Sequence, residues 1–147
     1  MIKLFSFRGR TSRLGFWRMQ LLASVVSSVA VAIGYSAIIQ FGQLGGVFLL
    51  ALPPLLAMSL ATGLRRLHDR GKNVVWLLVF TFGPLACLAI AQSLVSLGSI
   101  GPKLASLPFS LGGIGLVVWG WIEFGFLRGQ AGANQFGEPP PTRAIAP

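Results

Sequence analysis

Acidic residues are almost missing from this chain. Its 147 residues include three acids (Asp69, Glu123 and Glu138) against twelve lysines and arginines. The only histidine is His68 and the only cysteine is Cys87. So few ligands do not make a metal centre at usual coordination numbers. A single cysteine forms no intrachain disulfide and says nothing about redox compartment; inside an apolar run, Cys87 reads as a small packing residue. No cofactor is implied, because the chain lacks the GxxxxGK(S/T) phosphate loop, GxGxxG before a helix and the GxSxG elbow. From Met19 to Leu64 there is no Asp, Glu, Lys or Arg at all. Charged residues make up 10% of the chain, where a soluble domain carries about 25%. This excludes an ordinary soluble domain, since ~20 apolar residues already cross a bilayer core of ~30 Å.

What is present is a series of long apolar runs in one domain's length of chain. They predict an all-α polytopic transmembrane bundle of four spans, at about 19–41, 47–64, 74–99 and 104–127. A basic, aromatic lead-in (1–18) precedes them, and a Gly/Pro-rich tail (128–147) follows, expected to be irregular or mobile. Thr11 or Ser12 is the expected cap of the first helix. An in-plane amphipathic helix in the lead-in is weakened by Gly9 and Gly15. Span one is dense in small residues (Ala23, Ser24, Ser27, Ser28, Ala30, Ala32, Gly34) that let helices approach in lipid. Gly42 to Gly46 reads as a short turn. Pro53-Pro54, near the middle of span two, predicts a kink or break. The basic start, the apolar run and Ala30-Val31-Ala32 resemble a secretory signal. The run continues through Ile39, however, past the ~7–15 residues of a signal core, so a retained first span is expected.

Four spans put eleven of the twelve basic residues on the side holding both termini, including Lys3 and Arg143, and leave only Lys103 opposite. Positive-inside bias then makes both termini cytoplasmic. The net charge of +9 invites a nucleic-acid reading, but the cations flank apolar runs, where anionic headgroups are their natural partners. No nucleic-acid partner is expected.

Two places carry chemistry. The first is the island Arg65-Arg66-Leu67-His68-Asp69-Arg70-Gly71-Lys72, with four of the twelve basic residues, the only His and the only Asp. It follows span two, where positive charge suits the helix dipole and Gly71 suits a left-handed cap. In a continuing helix Asp69 shares a face with Arg65 and Arg66. An anchored, salt-bridged helix end explains this. So does an anion cradle in which two guanidiniums grip phosphate or carboxylate while Asp69 orients Arg66 or His68. A His-Asp acid–base pair is the third reading. The second place is Glu123, the only acid within an apolar run, five residues before Arg128. It reads as a carboxylate paired near the membrane face or as part of a proton or cation path.

Three segments resemble the DUF805 family of small bacterial inner-membrane proteins. Phe7-Arg8-Gly9-Arg10-Thr11-Ser12-Arg13-Leu14-Gly15-Phe16-Trp17 is similar to its FxGRxxRxxFW opening. Arg65 to Gly71 is similar to its RRLHDxG signature, and Gly132 to Pro139 to its GxNxFGxxP tail. After the island, Asn73-Val74-Val75-Trp76 keeps only the second tryptophan of the family's Ser-Gly-Trp-Trp, and Glu138 stands where Asp or Asn is usual. The resemblance implies a bacterial inner-membrane, multi-pass protein with no established activity. All three motifs fall on the predicted cytoplasmic face, so Arg10, Arg13, Arg65, Arg66, His68, Asp69, Gly71 and Asn134 are expected to converge into one polar cluster. The leading expectation is a non-enzymatic protein whose basic face binds anionic lipid headgroups, a membrane protein partner or a second copy. A small transporter or channel component using Pro53-Pro54 and Glu123 comes second, and a lipid-modifying enzyme using His68 and Asp69 third.

Overall fold

The computed structural model describes residues 5–140; Lys3 and Arg143 lie outside them. The described residues are helical and contain no strand. Ser12 caps α1 (Arg13–Phe41), its Oγ accepting from the Gly15 amide at 3.1 Å. The helix therefore begins inside the expected lead-in and carries Arg13 and Arg18. Residues 5–12 form no helix.

The expected turn at 42–46 is instead a ten-residue 3₁₀ segment, Gly42–Ala51, running directly into α2 (Leu52–Asp69). The proline pair does not kink α2: Pro53 and Pro54 occupy its first turn, where a missing N–H costs nothing and a fixed φ helps. The break falls one step earlier, where 3₁₀ becomes α. The Thr11 amide donates to the Arg65 carbonyl at 3.2 Å, so this helical run starts and ends at the same place. Its 29-residue α1 is about 43 Å long at ~1.5 Å per residue. The 3₁₀ segment and α2 together reach about the same length. A close approach permits the return: a Cβ on Gly45 would strike the backbone of Ala37 and Ile38. Of the small residues in α1, Ala23 and Gly34 are buried, whereas Ser24, Ser28 and Ala32 are exposed.

Asn73 caps α3 (Val74–Ser96), which carries Pro84 in its interior. The short α4 (Ile100–Ala105) leads into α5 (Leu107–Trp121), which packs along α3. α5 ends in a π-helical turn, Ile122–Phe126.

Three helical stretches are long and apolar enough to cross a membrane: Arg13–Asp69, Val74–Ser96 and Ile100–Phe126. Polarity is distributed inside out. Leu21, Ile39, Leu85 and Leu111 are each more than half exposed, while Arg66, Asp69 and Glu123 are at most 4% exposed. In water this arrangement would expose most of the apolar side chains; in lipid the same exterior is solvated. The apolar core is small: Leu64, Leu67, Leu77 and Phe80, covered by Leu60, Trp76 and Phe124. It lies directly beneath the polar end.

Candidate functional site

The polar end begins with how α2 stops. Gly71 takes φ +73°. Its amide donates to the His68 carbonyl at 3.0 Å, and the Lys72 amide to the Leu67 carbonyl at 2.9 Å. This is a Schellman closure, for which a residue without a Cβ is suited. It fixes the last turn of α2 so that Arg66, Asp69 and Arg70 face the end of α5.

The end of α5 needs what they offer. A helix C-terminus leaves carbonyls without intrahelical donors, and a π turn frees more. In an apolar surrounding each costs several kcal/mol if left unpaired, on the order of ~4. Five successive carbonyls here are each met by a side chain. Arg66 Nε donates to Phe124 O at 2.8 Å, Trp17 Nε1 to Gly125 O at 3.2 Å and Arg13 Nη1 to Phe126 O at 3.2 Å. Arg66 Nη2 donates to Leu127 O, and Arg70 Nη1 to Arg128 O at 2.6 Å. Cations also suit the negative end of the helix dipole.

Asp69 joins this cap to the lead-in. One carboxylate oxygen accepts from Arg10, at 3.0 Å from Nε and 2.9 Å from Nη2, and the other pairs with Arg66. Arg10 continues to the carbonyls of Gly132 (2.6 Å), Gly137 (3.3 Å) and Gln130. The side chains of Arg10 and Arg66 are 1% and 0% exposed. Two cations thus share one buried carboxylate and five carbonyl oxygens. Glu123 repeats the pattern, with Arg70 and Lys72 each at 3.0 Å from Oε1 and Lys72 lying 4.2 Å from the Trp76 ring. The guanidinium that pairs with it is that of Arg70, not that of Arg128 five residues on.

The tail is fastened to the same place. Asn134 Nδ2 donates to the His68 carbonyl at 2.9 Å and to Gln130 Oε1 at 2.8 Å, and its Oδ1 accepts the Phe136 amide. The Gln130 amide donates to the Asp69 carbonyl at 2.8 Å. Phe136 stacks on the His68 ring with centroids 3.9 Å apart. His68 Nδ1 lies 3.2 Å from the Gly9 carbonyl oxygen. A carbonyl only accepts, so Nδ1 carries the proton. Residues 128–140, expected to be irregular, form no helix but are held by these bonds.

The structure therefore brings together Arg10, Arg66, His68, Asp69, Gly71 and Asn134, with Arg13 at the edge. It leaves out Arg65, whose guanidinium turns back to Thr62 Oγ1 (3.2 Å) and the Ala61 carbonyl (3.4 Å) on its own helix. Asp69 pairs with Arg66 and Arg10, not Arg65. His68 and Asp69 have separate partners and do not form a dyad. Among the described residues no three His, Cys, Asp or Glu side chains cluster as metal ligands.

Sequence reasoning did not find Gln130, Trp17, Gly125 or Gly129. A Cβ on Gly129 would overlap the Asp69 carboxylate, and one on Gly125 the Trp17 ring, whose three nearest atoms would lie 2.5 to 3.2 Å away.

An open hollow of about 700 Å³ adjoins this network, with Arg66 and Asp69 among its lining residues. Its rim includes Ser12, Arg13, Arg18, Arg128 and Pro139. The three arginines are exposed, and among the described residues only Arg13 of the three has a side-chain hydrogen bond, to the Phe126 carbonyl.

The model of the family described as protein of unknown function (DUF805) matches residues 4–138. Comparison with curated proteins and with solved structures finds no match.

Proposed function

The chain belongs to the DUF805 family of unknown function, and we propose that it is a bacterial inner-membrane protein whose cytoplasmic polar end binds anionic lipid headgroups. It crosses four times with both termini cytoplasmic. Its signature residues are the fastening of that end, and the binding cations are others. Arg10 and Arg66 have their donors committed to Asp69 and to carbonyl oxygens. Among the described residues Arg18 and Arg128 have no side-chain bond and Arg13 has one; the three ring one hollow, and this is the observation that carries the reading. Guanidiniums pair bidentately with phosphate oxygens, and cations near an anionic surface contribute about 1 kcal/mol each.

The test is retention of phosphatidylglycerol against phosphatidylcholine by the detergent-purified protein in native mass spectrometry. Phosphatidylglycerol is expected to be preferred. Arg18→Gln and Arg128→Gln should each weaken its binding about fivefold, as expected for about 1 kcal/mol per cation. Arg65→Ala should leave it unchanged, and salt should weaken it throughout. Equal retention of both lipids would end the proposal.

A further inference from the structure

A second cavity, of about 610 Å³, lies among α1, α2, α3 and α5 within the apolar stretches. No charged side chain lines it. Trp17, Leu21, Leu60, Phe80, Val117 and Phe124 are among its apolar lining, with Gln20, Ser24, Ser59 and Thr81 as its polar points. Well-packed interiors do not keep voids of this size, and an apolar hollow holds water poorly. Its volume falls within the ~300–1,000 Å³ of small-ligand pockets. The cavity opens sideways: Leu21 and Trp121, both on its wall, are 66% and 62% exposed on the apolar exterior. Whatever enters through that side comes from the hydrocarbon phase.

The cavity and the hollow at the polar end meet on one helix. Leu21 is at the mouth of the first, and Arg18 is on the rim of the second. Residues three apart on a helix are surface neighbours, and Arg18 is the nearer of the two to the N-terminus of α1, at the polar end. An apolar slot with a cation at its polar lip is complementary to a molecule with an anionic head and a hydrocarbon chain. We infer that the cleft holds one acyl chain of an anionic phospholipid whose phosphate is bound by Arg18. The chain passes Leu21 and Trp121 and runs towards Leu56 and Pro84, the lining residues of α2 and α3 farthest in sequence from the polar end. The identity of the head rests on the headgroup reading above; the presence of the chain rests on the cleft alone.

The experiment uses the full chain in nanodiscs with phosphatidylglycerol carrying a mid-chain diazirine. Photolabelled positions are mapped by peptide mass spectrometry. Labels are expected on Leu60, Thr81 and Val117. Labels confined to outward residues such as Val25, Val29 and Leu88 would overturn the inference. So would an empty internal map together with a disulfide-linked dimer formed by Leu21→Cys in a Cys87→Ser background, which would give the cleft to a second chain. Filling the slot with Ser59→Leu and Thr81→Leu should cut internal labelling at least fivefold; unchanged labelling would also overturn the assignment. If that variant does not fold, the wild-type map decides alone. A phosphatidylcholine probe separates the two claims. Equal internal labelling by both lipids leaves the chain in the cleft and sinks the headgroup reading. A preference for phosphatidylglycerol with no internal label does the reverse.

Discussion

At the scale of single residues, the polar end depends on Asp69. It is the only negative charge between two buried guanidiniums. Removing it leaves both cations without a counter-charge where their side chains are almost closed to water. Breaking a buried pair from one side costs about 3–5 kcal/mol. Asp69→Asn should therefore lower stability by about that amount in detergent unfolding, with Arg10→Ala close behind. Arg65→Ala, which removes a half-buried side chain bonded only to its own helix, should cost less, about 1 kcal/mol. Equal losses at Asp69 and Arg65 would show that the burial argument is wrong. The importance of Asp69, Arg10 and Asn134 was legible because polar residues stand out in so oily a chain. Their task was not, because what the arginines grip is backbone. The carbonyls of Phe124 to Arg128 carry no side-chain signature, and the π turn that frees them is written in no motif. Arg65 was misjudged for a related reason: a guanidinium beside Arg66 in sequence points about 100° away from it on a helix, given about 3.6 residues per turn.

At the scale of elements, glycines decide how the pieces meet, and neighbouring glycines provide their own controls. A Cβ on Gly45 would enter the backbone of α1, while one on Gly46 would find nothing within 4 Å. Backbone cannot step aside as a side chain can. Gly45→Ala should prise the 3₁₀ segment from α1 and lower the unfolding temperature sharply, whereas Gly46→Ala should leave it nearly unchanged. Similar behaviour of the two variants would refute the close approach. Gly71 and Gly98 form a second pair, both at positive φ. A Cβ at Gly98 meets only the backbone strain of about 1–2 kcal/mol. At Gly71 it must also displace the Gln130 amide, with atoms at 2.6–3.0 Å, so Gly71→Ala should be the costlier of the two in the same melt. The Schellman glycine was readable from its place after a basic helix end. The ten-residue 3₁₀ segment was not, because Gly42–Ala51 has no charge or cap to mark a change of helical type.

At the scale of the whole molecule, an apolar exterior and a charged interior leave the bilayer as the solvent the chain is built for. The number of crossings turns on the first helical stretch, a 57-residue run whose start and end meet at Thr11 and Arg65. Such a run either crosses and returns or enters and leaves by the same face as a re-entrant hairpin. The length of α1 favours crossing: at about 43 Å, from ~1.5 Å per residue, it exceeds a hydrocarbon core of ~30 Å. Single cysteines in a Cys87→Ser background test this. Gln43 lies at the hairpin bend, Ser99 between α3 and α4, and Gln135 in the fastened tail; all three are exposed. With a membrane-impermeant maleimide on spheroplasts, cysteines at 43 and 99 should label on intact cells, and the one at 135 only after lysis. Labelling at 99 with protection at 43 would reduce the first pair to a re-entrant hairpin. Labelling of 135 on intact cells would invert the protein, placing Arg13, Arg18 and Arg128 against the outer leaflet and overturning the cytoplasmic headgroup site.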